Sequence, residues 1–375
     1  MRKLYAIGAM LAMTTSAYAA PFVTQVTQKG SLLIFPDIRI DGTYNTIVRL
    51  SNDGSRAIDV KCIWMDGNKN RTDFVISLSK NQTIWFDAKE GDGTLRINPM
   101  PRGPASGFDN PFLPGGAGPY YKGMLACFAV SKTEEDQVKW NHLHGTATVF
   151  EPSRSTAYEY NAYAFYAPAG NDQEPVGTAG TLELNGFQYD ACPLYMTGAL
   201  TPTEYALASK HDPTLKWFGV NRNRIAVASC ALNLNQDWTP VYTKLQFDVW
   251  DSNETKLTGA YDCADSWHEV VLPDVQAASQ VFTKSTVGTD AARYRVQGVK
   301  SDRCKPYDAQ AVGVLVVEST MIGFGPPNPD PNTFPAFLGP WAETGTTLTA
   351  AGKASAPENK VVWDPQGAVP EGRIR

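Results

Sequence analysis

Apolar and polar residues alternate with period two along much of this chain, in short runs separated by turn-forming residues, and that pattern predicts strands. The clearest stretch is Gly42 to Asp66. Ile58, Val60, Cys62 and Trp64 fall on one face there, with Asp59 and Lys61 on the other, as in a half-buried strand. Val48 and Leu50 in the preceding run offer a matching apolar face, and Ser51-Asn52-Asp53-Gly54-Ser55 between the runs tolerates φ > 0. Together the two runs predict a β-hairpin. A Cys beside a Trp in it predicts a disulfide packed under an aromatic ring, as in immunoglobulin-like sandwiches.

The same alternation predicts strands at Gly30 to Ile40, Asp73 to Ser79, Thr83 to Ala88, Met124 to Val130, Gly145 to Phe150 and Tyr158 to Tyr166. Pro36 suits an edge strand or one that changes sheet. The run Tyr158 to Tyr166 is aromatic on both faces, which predicts cover on both sides. Small and polar residues at 167–180 read as a domain exit, and Leu182 to Leu200 as a crossover tied down by Cys192. Strands follow at Arg224 to Leu232, Lys244 to Trp250, His268 to Leu272, Tyr294 to Val299 and Val312 to Glu318. The predicted fold class is all-β, with two immunoglobulin-like β-sandwich domains at 20–180 and 181–322 and a Pro-rich irregular C-terminal arm at 323–375.

Two stretches lack periodicity. Leu95 to Gly123 carries six prolines and is too long for a routine connector, so it reads as a packed insertion or a binding loop presenting Phe108, Phe112, Tyr120 and Tyr121. In the arm, Phe334, Phe337, Leu338 and Trp341 either dock it on the body or offer a partner surface.

Met1-Arg2-Lys3, an apolar run from Leu4 to Met13 and Ala17-Tyr18-Ala19 read as a signal peptide over residues 1–19. That run is about half the ~20 residues a membrane span needs, so no transmembrane anchor is expected after cleavage. With Arg2 and Lys3 removed, 31 basic residues stand against 38 acidic ones, and the formal charge moves from -5 to -7. Such a balance excludes a nucleic-acid partner and matches an anionic membrane poorly. All six cysteines lie beyond residue 19, which favours disulfides in an exported chain. Of 15 connectivities, strand placement favours Cys62 with Cys127, Cys230 with Cys263, and Cys192 with Cys304.

Sequence signals for chemistry are sparse. His142 and His144 form an HxH whose imidazoles would share a strand face as metal ligands, or else hydrogen-bond at a strand entrance. His268-Glu269 starts like a zinc-protease motif, but Leu272 stands where the second His belongs. Asp66 to Asp73 begins like a calcium loop, yet Arg71 and Ser77 occupy the positions that need Gly and Glu, so a hairpin turn is expected. No catalytic residue and no cofactor is predicted.

NTIVRLSN followed by VKCIW, then WNHLHGTATV, YDACP and LQFDVWD between two cysteines, resembles secreted bacterial chains of delta-proteobacterial type without an assigned function. The resemblance spans most of residues 31–318 and implies tandem immunoglobulin-like sandwiches. The functional expectation is an exported structural, adhesive or interaction protein in the periplasm or at the surface of a Gram-negative bacterium. Its partners would be proteins or surface polysaccharides, or further copies of itself. The competing readings are a carbohydrate-binding or carbohydrate-cleaving protein, from nine Trp and sixteen Tyr, and a periplasmic metal binder using His142 and His144.

Overall fold

The computed structural model describes residues 23–67, 69–94, 122–200, 204–208, 216–235, 237, 239–272, 287–289, 291–304, 308–325, 341–347, 349–351 and 356–365. The chain is all-β. Its first half supplies β1 (Leu32–Arg39), β2 (Asn45–Asn52), β3 (Ile58–Asp66), β4 (Arg71–Leu78), β5 (Gln82–Asp87), β6 (Lys122–Val130), β7 (Leu143–Glu151), β8 (Thr156–Asn161) and β9 (Tyr163–Phe165). These form two sheets, ordered β4-β3-β6-β1-β9 and β5-β2-β7-β8.

The expected hairpin at Gly42 to Asp66 is not one. β2 pairs with β5 and β7, whereas β3 pairs with β4 and β6, so residues 53–57 form an arch from one sheet to the other. Val48 and Leu50 do meet Val60, Cys62 and Trp64, but face to face across the sandwich core. The arch is fixed by distant side chains. Asn52 Oδ1 accepts from Gly54 N and from Trp140 Nε1, both at 2.9 Å, and its Nδ2 donates to Arg56 O and Ser79 O. A Cβ on Gly54 would stand 2.2 Å from Trp140 Cζ2, so the close approach requires glycine.

Strands β1, β3 and β6 are buried on both faces, which explains why Met124 to Val130 reads as continuously apolar. Leu33, Phe35, Trp64 and Leu125 face the second sheet. Leu32, Ile34, Ile63 and Phe128 face the other way, into a core shared with the second half. The aromatic run from Tyr158 is two strands in different sheets, divided at Ala162. Tyr158 and Tyr160 point into the first sandwich, while Tyr163 and Phe165 belong to the shared core.

The second half supplies β10 (Thr181–Glu183), β11 (Tyr195–Leu200), β12 (Glu204–Ala208), β13 (Lys216–Ser229), β14 (Ala231–Asn233), β15 (Tyr242–Trp250), β16 (Lys256–Asp265), β17 (Trp267–Val271), β18 (Ala292–Val299), β19 (Val314–Gly325), β20 (Trp341–Thr347), β21 (Thr349–Ala351) and β22 (Lys360–Val362). One sheet runs β20-β19-β13-β17-β16-β15-β18-β11-β21, with β12 on β13, and a small one runs β10-β22-β14. The large sheet folds over on itself, so that Tyr294 Oη on β18 donates to Glu318 Oε2 on β19 at 2.8 Å. A core cluster joins Leu32, Phe128 and Phe165 to Ile225, Phe247, Val316 and Trp363, crossing the expected boundary at residue 180.

Where it is described, the segment expected to be an irregular arm is largely stranded. β20 pairs with β19 and packs against β8, β21 pairs with β11, and β22 lies between β10 and β14. The Thr-rich run after Trp341 suits strands through its β-branched side chains. Three disulfides are present. Cys62–Cys127 forms as expected, between directly opposed residues of neighbouring strands with Cα atoms 4.0 Å apart. It therefore lies within one sheet, unlike the inter-sheet bridge of immunoglobulin domains. The other two exchange partners relative to expectation, as Cys192–Cys230 and Cys263–Cys304. The reason is strand order: β17 intervenes between β13, which ends beside Cys230, and β16, which carries Cys263.

Candidate functional site

The sequence-predicted residues scatter. Phe108, Phe112, Tyr120, Tyr121, Phe334 and Phe337 lie outside the described residues, and of Trp341 only the β20 backbone is described. His142 precedes β7, with Nδ1 3.4 Å from Asp53 and Nε2 3.3 Å from Asp172. His144 lies within β7 and lines a separate cavity with Lys29, where burial and the Lys29 charge lower its pKa. Among the described residues no group of three or more His, Cys, Asp or Glu is placed to hold a metal. The Asp66 segment is a hairpin turn in which Asn70 N and Nδ2 both donate to the Asp66 carboxylate at 2.8 Å.

What sequence reasoning missed is a buried ionic network where the halves meet. Asp37 and Arg39 on β1 alternate inward past Pro36, and both are nearly inaccessible. The Asp37 carboxylate accepts from Tyr158 Oη on β8 and lies 3.4 Å from Arg224 Nη2 on β13. Arg224 also donates to Tyr158 Oη at 2.7 Å, to Ser319 Oγ on β19 at 2.8 and 3.0 Å, and to Glu269 on β17 at 3.2 Å. Glu269 in turn receives Lys122 of β6 at 2.5 Å. Trp267 Nε1 donates to Pro36 O at 2.6 Å, adding an uncharged tie across the same seam.

Burial dominates the electrostatics here. Desolvation pushes Asp37 up to about 6, although Arg39 and the Tyr158 hydroxyl pull the other way. Tyr160 rises well above its ordinary value, again mainly by burial and then by the Asp37 charge. For Arg39, burial opposes the charged form, but its two-point contact with Asp41 at 3.0 Å prevails and the pKa rises. These charges neutralise one another across four strands, β1, β6, β13 and β17. Their chemical role is that of a latch between the halves.

The most exposed large apolar side chain among the described residues is Phe187, at 67 %. It follows an Asn185-Gly186 turn in which Asn185 Oδ1 accepts from Phe187 N at 2.8 Å and Gln188 N at 3.1 Å. The ring borders a cavity of about 370 Å³ lined by Gly170, Pro175, Thr178, Glu183, Asn185 and Gln188. An aromatic face beside amide and carboxylate groups can bind a ligand by stacking and hydrogen bonding. Its sequence signal was the Asn-Gly turn carrying an aromatic residue.

No protein-family profile matches the chain, and no curated protein sequence does. Among solved structures, a candidate secreted protein of Parabacteroides distasonis is 14% identical, covering 78% of this chain and 84% of that one, at a TM-score of 0.19. The PBSX exported protein XepA is 8% identical, covering 72% and 83%, at a TM-score of 0.17. At such scores neither similarity bears on fold or function.

Proposed function

We propose that this chain is an exported, non-enzymatic interaction or structural protein, working outside the cytoplasm through surface features carried on a rigid all-β body. The observation that carries the reading is the cysteine chemistry: all six cysteines are bonded in three disulfides, a usage that suits an oxidising compartment. The latch supports rigidity, because the hydrogen bonds from Arg224 to Tyr158 and from Trp267 to Pro36 O tie the halves together. Osmotic-shock fractionation of cells, followed by thiol alkylation without reductant, tests this. Release with the periplasmic or extracellular fraction and no alkylated cysteine is expected, and a cytosolic, fully alkylated protein would refute it.

Carbohydrate recognition is a second reading, favoured by Phe187 lining one cavity with Glu183 and Asn185, whose side chains hydrogen-bond to each other at 2.8 Å. Aromatic stacking with paired polar groups is chemistry suited to a sugar ring. Binding to surface polysaccharide that Phe187→Ala weakens at least tenfold, with unchanged thermal stability, is expected on this reading. Equal binding by both proteins would exclude it at this cavity.

A further inference from the structure

Lys61 is among the largest fully buried side chains of the protein, and its setting is not an ordinary ion pair. It lies on β3 directly opposite Phe128 of β6, with Nζ 5.4 Å from the centre of the Trp363 ring, which itself packs 4.9 Å from the Phe128 ring. Asp73, two residues from the β4 position opposite Lys61, is on the same sheet face. Its Oδ2 is 3.1 Å from Lys61 Nζ. Yet neither Nζ nor Oδ2 has a hydrogen-bond partner among the described residues.

Arg71 Nη2 lies on the Oδ1 side of this carboxylate, but Lys61 Nζ and Asp73 Oδ2 face each other beside an aromatic ring without hydrogen bonds, and Coulomb attraction at that spacing does not repay the lost hydration of the ammonium. Removing Asp73 alone leaves the fully buried Lys61 ammonium without its counter-charge and is worse still. A reaction that eliminates both charges at once resolves the conflict. We propose that Lys61 and Asp73 are joined by an isopeptide bond between Nζ and the Asp73 side-chain carbonyl carbon.

The arrangement supplies what the condensation needs. A proton passes from the Lys61 ammonium to Asp73 Oδ2, leaving a neutral amine that attacks the carboxyl carbon. Negative charge then gathers on Oδ1, 3.4 Å from Arg71 Nη2, whose guanidinium stabilises it. As the C–Oδ2 bond breaks, Oδ2 takes a second proton from the nitrogen and departs as water. Of the three ammonium protons two leave in that water and one remains on the amide, so the step needs no oxidant, reductant or cofactor. Fixed proximity supplies the entropic advantage that makes an unactivated acid reactive. The apolar surroundings exclude the water needed for reversal.

The consequence is a covalent line across three adjacent strands. The isopeptide links β3 to β4, and the neighbouring residue Cys62 links β3 to β6 through Cys127 on the opposite face.

Mass spectrometry of the purified wild-type protein, reduced, alkylated and digested with trypsin, decides the matter. Trypsin cannot cleave after a modified Lys61. The expected dominant product is peptide 57–69 joined to peptide 72–80, lighter than their sum by the mass of one water. Cleavage after Lys61, together with unlinked peptide 72–80 as the dominant forms, would overturn the proposal, and neither outcome depends on a variant folding. Asp73→Asn distinguishes the chemistry further: it restores the link with loss of ammonia in place of water, while Lys61→Arg and Asp73→Ala give none.

Discussion

Replacing Asp37 by Asn freezes the latch in its uncharged form. In the folded protein burial raises the Asp37 pKa from 3.8 to about 6, so between those values the folded chain holds a proton that the unfolded chain has released. The resulting stabilisation is complete below the unfolded value and is lost as pH rises through the folded one. A shift of roughly two units at about 1.4 kcal/mol each gives a loss on the order of 3 kcal/mol between pH 4 and pH 7. For a chain of this size that is about 4 °C in melting temperature. The assay is guanidinium denaturation of wild type and Asp37→Asn at closely spaced pH values. Subtracting one curve from the other cancels every titration the two proteins share. The difference should favour the variant progressively above pH 4 and level off above pH 7. Parallel curves would show that Asp37 does not titrate in this window. A difference that favours the wild type as pH rises would show the opposite sign, with the carboxylate held ionised by Arg224, and would refute the argument that burial dominates.

Other perturbations follow from the same structure. Arg224→Met leaves Glu269 and Asp37 without their shared cation and should cost about 3–5 kcal/mol in chemical denaturation, whereas a loss under about 1 kcal/mol would show the latch to be dispensable. Gly54→Ala drives a methyl group into Trp140 and should cost about 1–3 kcal/mol, with altered tryptophan fluorescence. Cys62→Ala with Cys127→Ala opens a crosslink across 65 residues, which loop-closure entropy values at about 4 kcal/mol, read from denaturation midpoints.

Strand positions were legible because alternation is local: Ile58 to Trp64 and Leu245 to Val249 lie in strands where the period places them. Partnership was not, because it is decided elsewhere in the chain. The residues Ser51 to Ser55 read as a hairpin turn, but Ser51 and Asn52 end β2 and the chain then crosses to the other sheet in an arch held through Trp140, 88 residues from Asn52. The cysteine pairs failed for the same reason, since β17 separates residues that the sequence suggested were neighbours. Asp37, next to Pro36 in an apolar strand, carries no local signal of its role. Its counterpart Arg224 is 187 residues away, and no spacing rule connects them. The run from Tyr158 carried a recoverable clue, because aromatic residues on both faces called for two separate environments, which a change of sheet at Ala162 provides.

The position of β22 sets an order of events during synthesis. It is antiparallel to β10 and parallel to β14, filling the place between them, and Trp363 just beyond it packs on Phe128. A chain emerging N-terminus first therefore carries two strands with unpaired edges and an uncovered Phe128 until residues 360–363 appear. Closure of this core waits for residues 360–363, and a nascent chain halted before residue 360 would be the species most exposed to strand-edge aggregation and to chaperone capture.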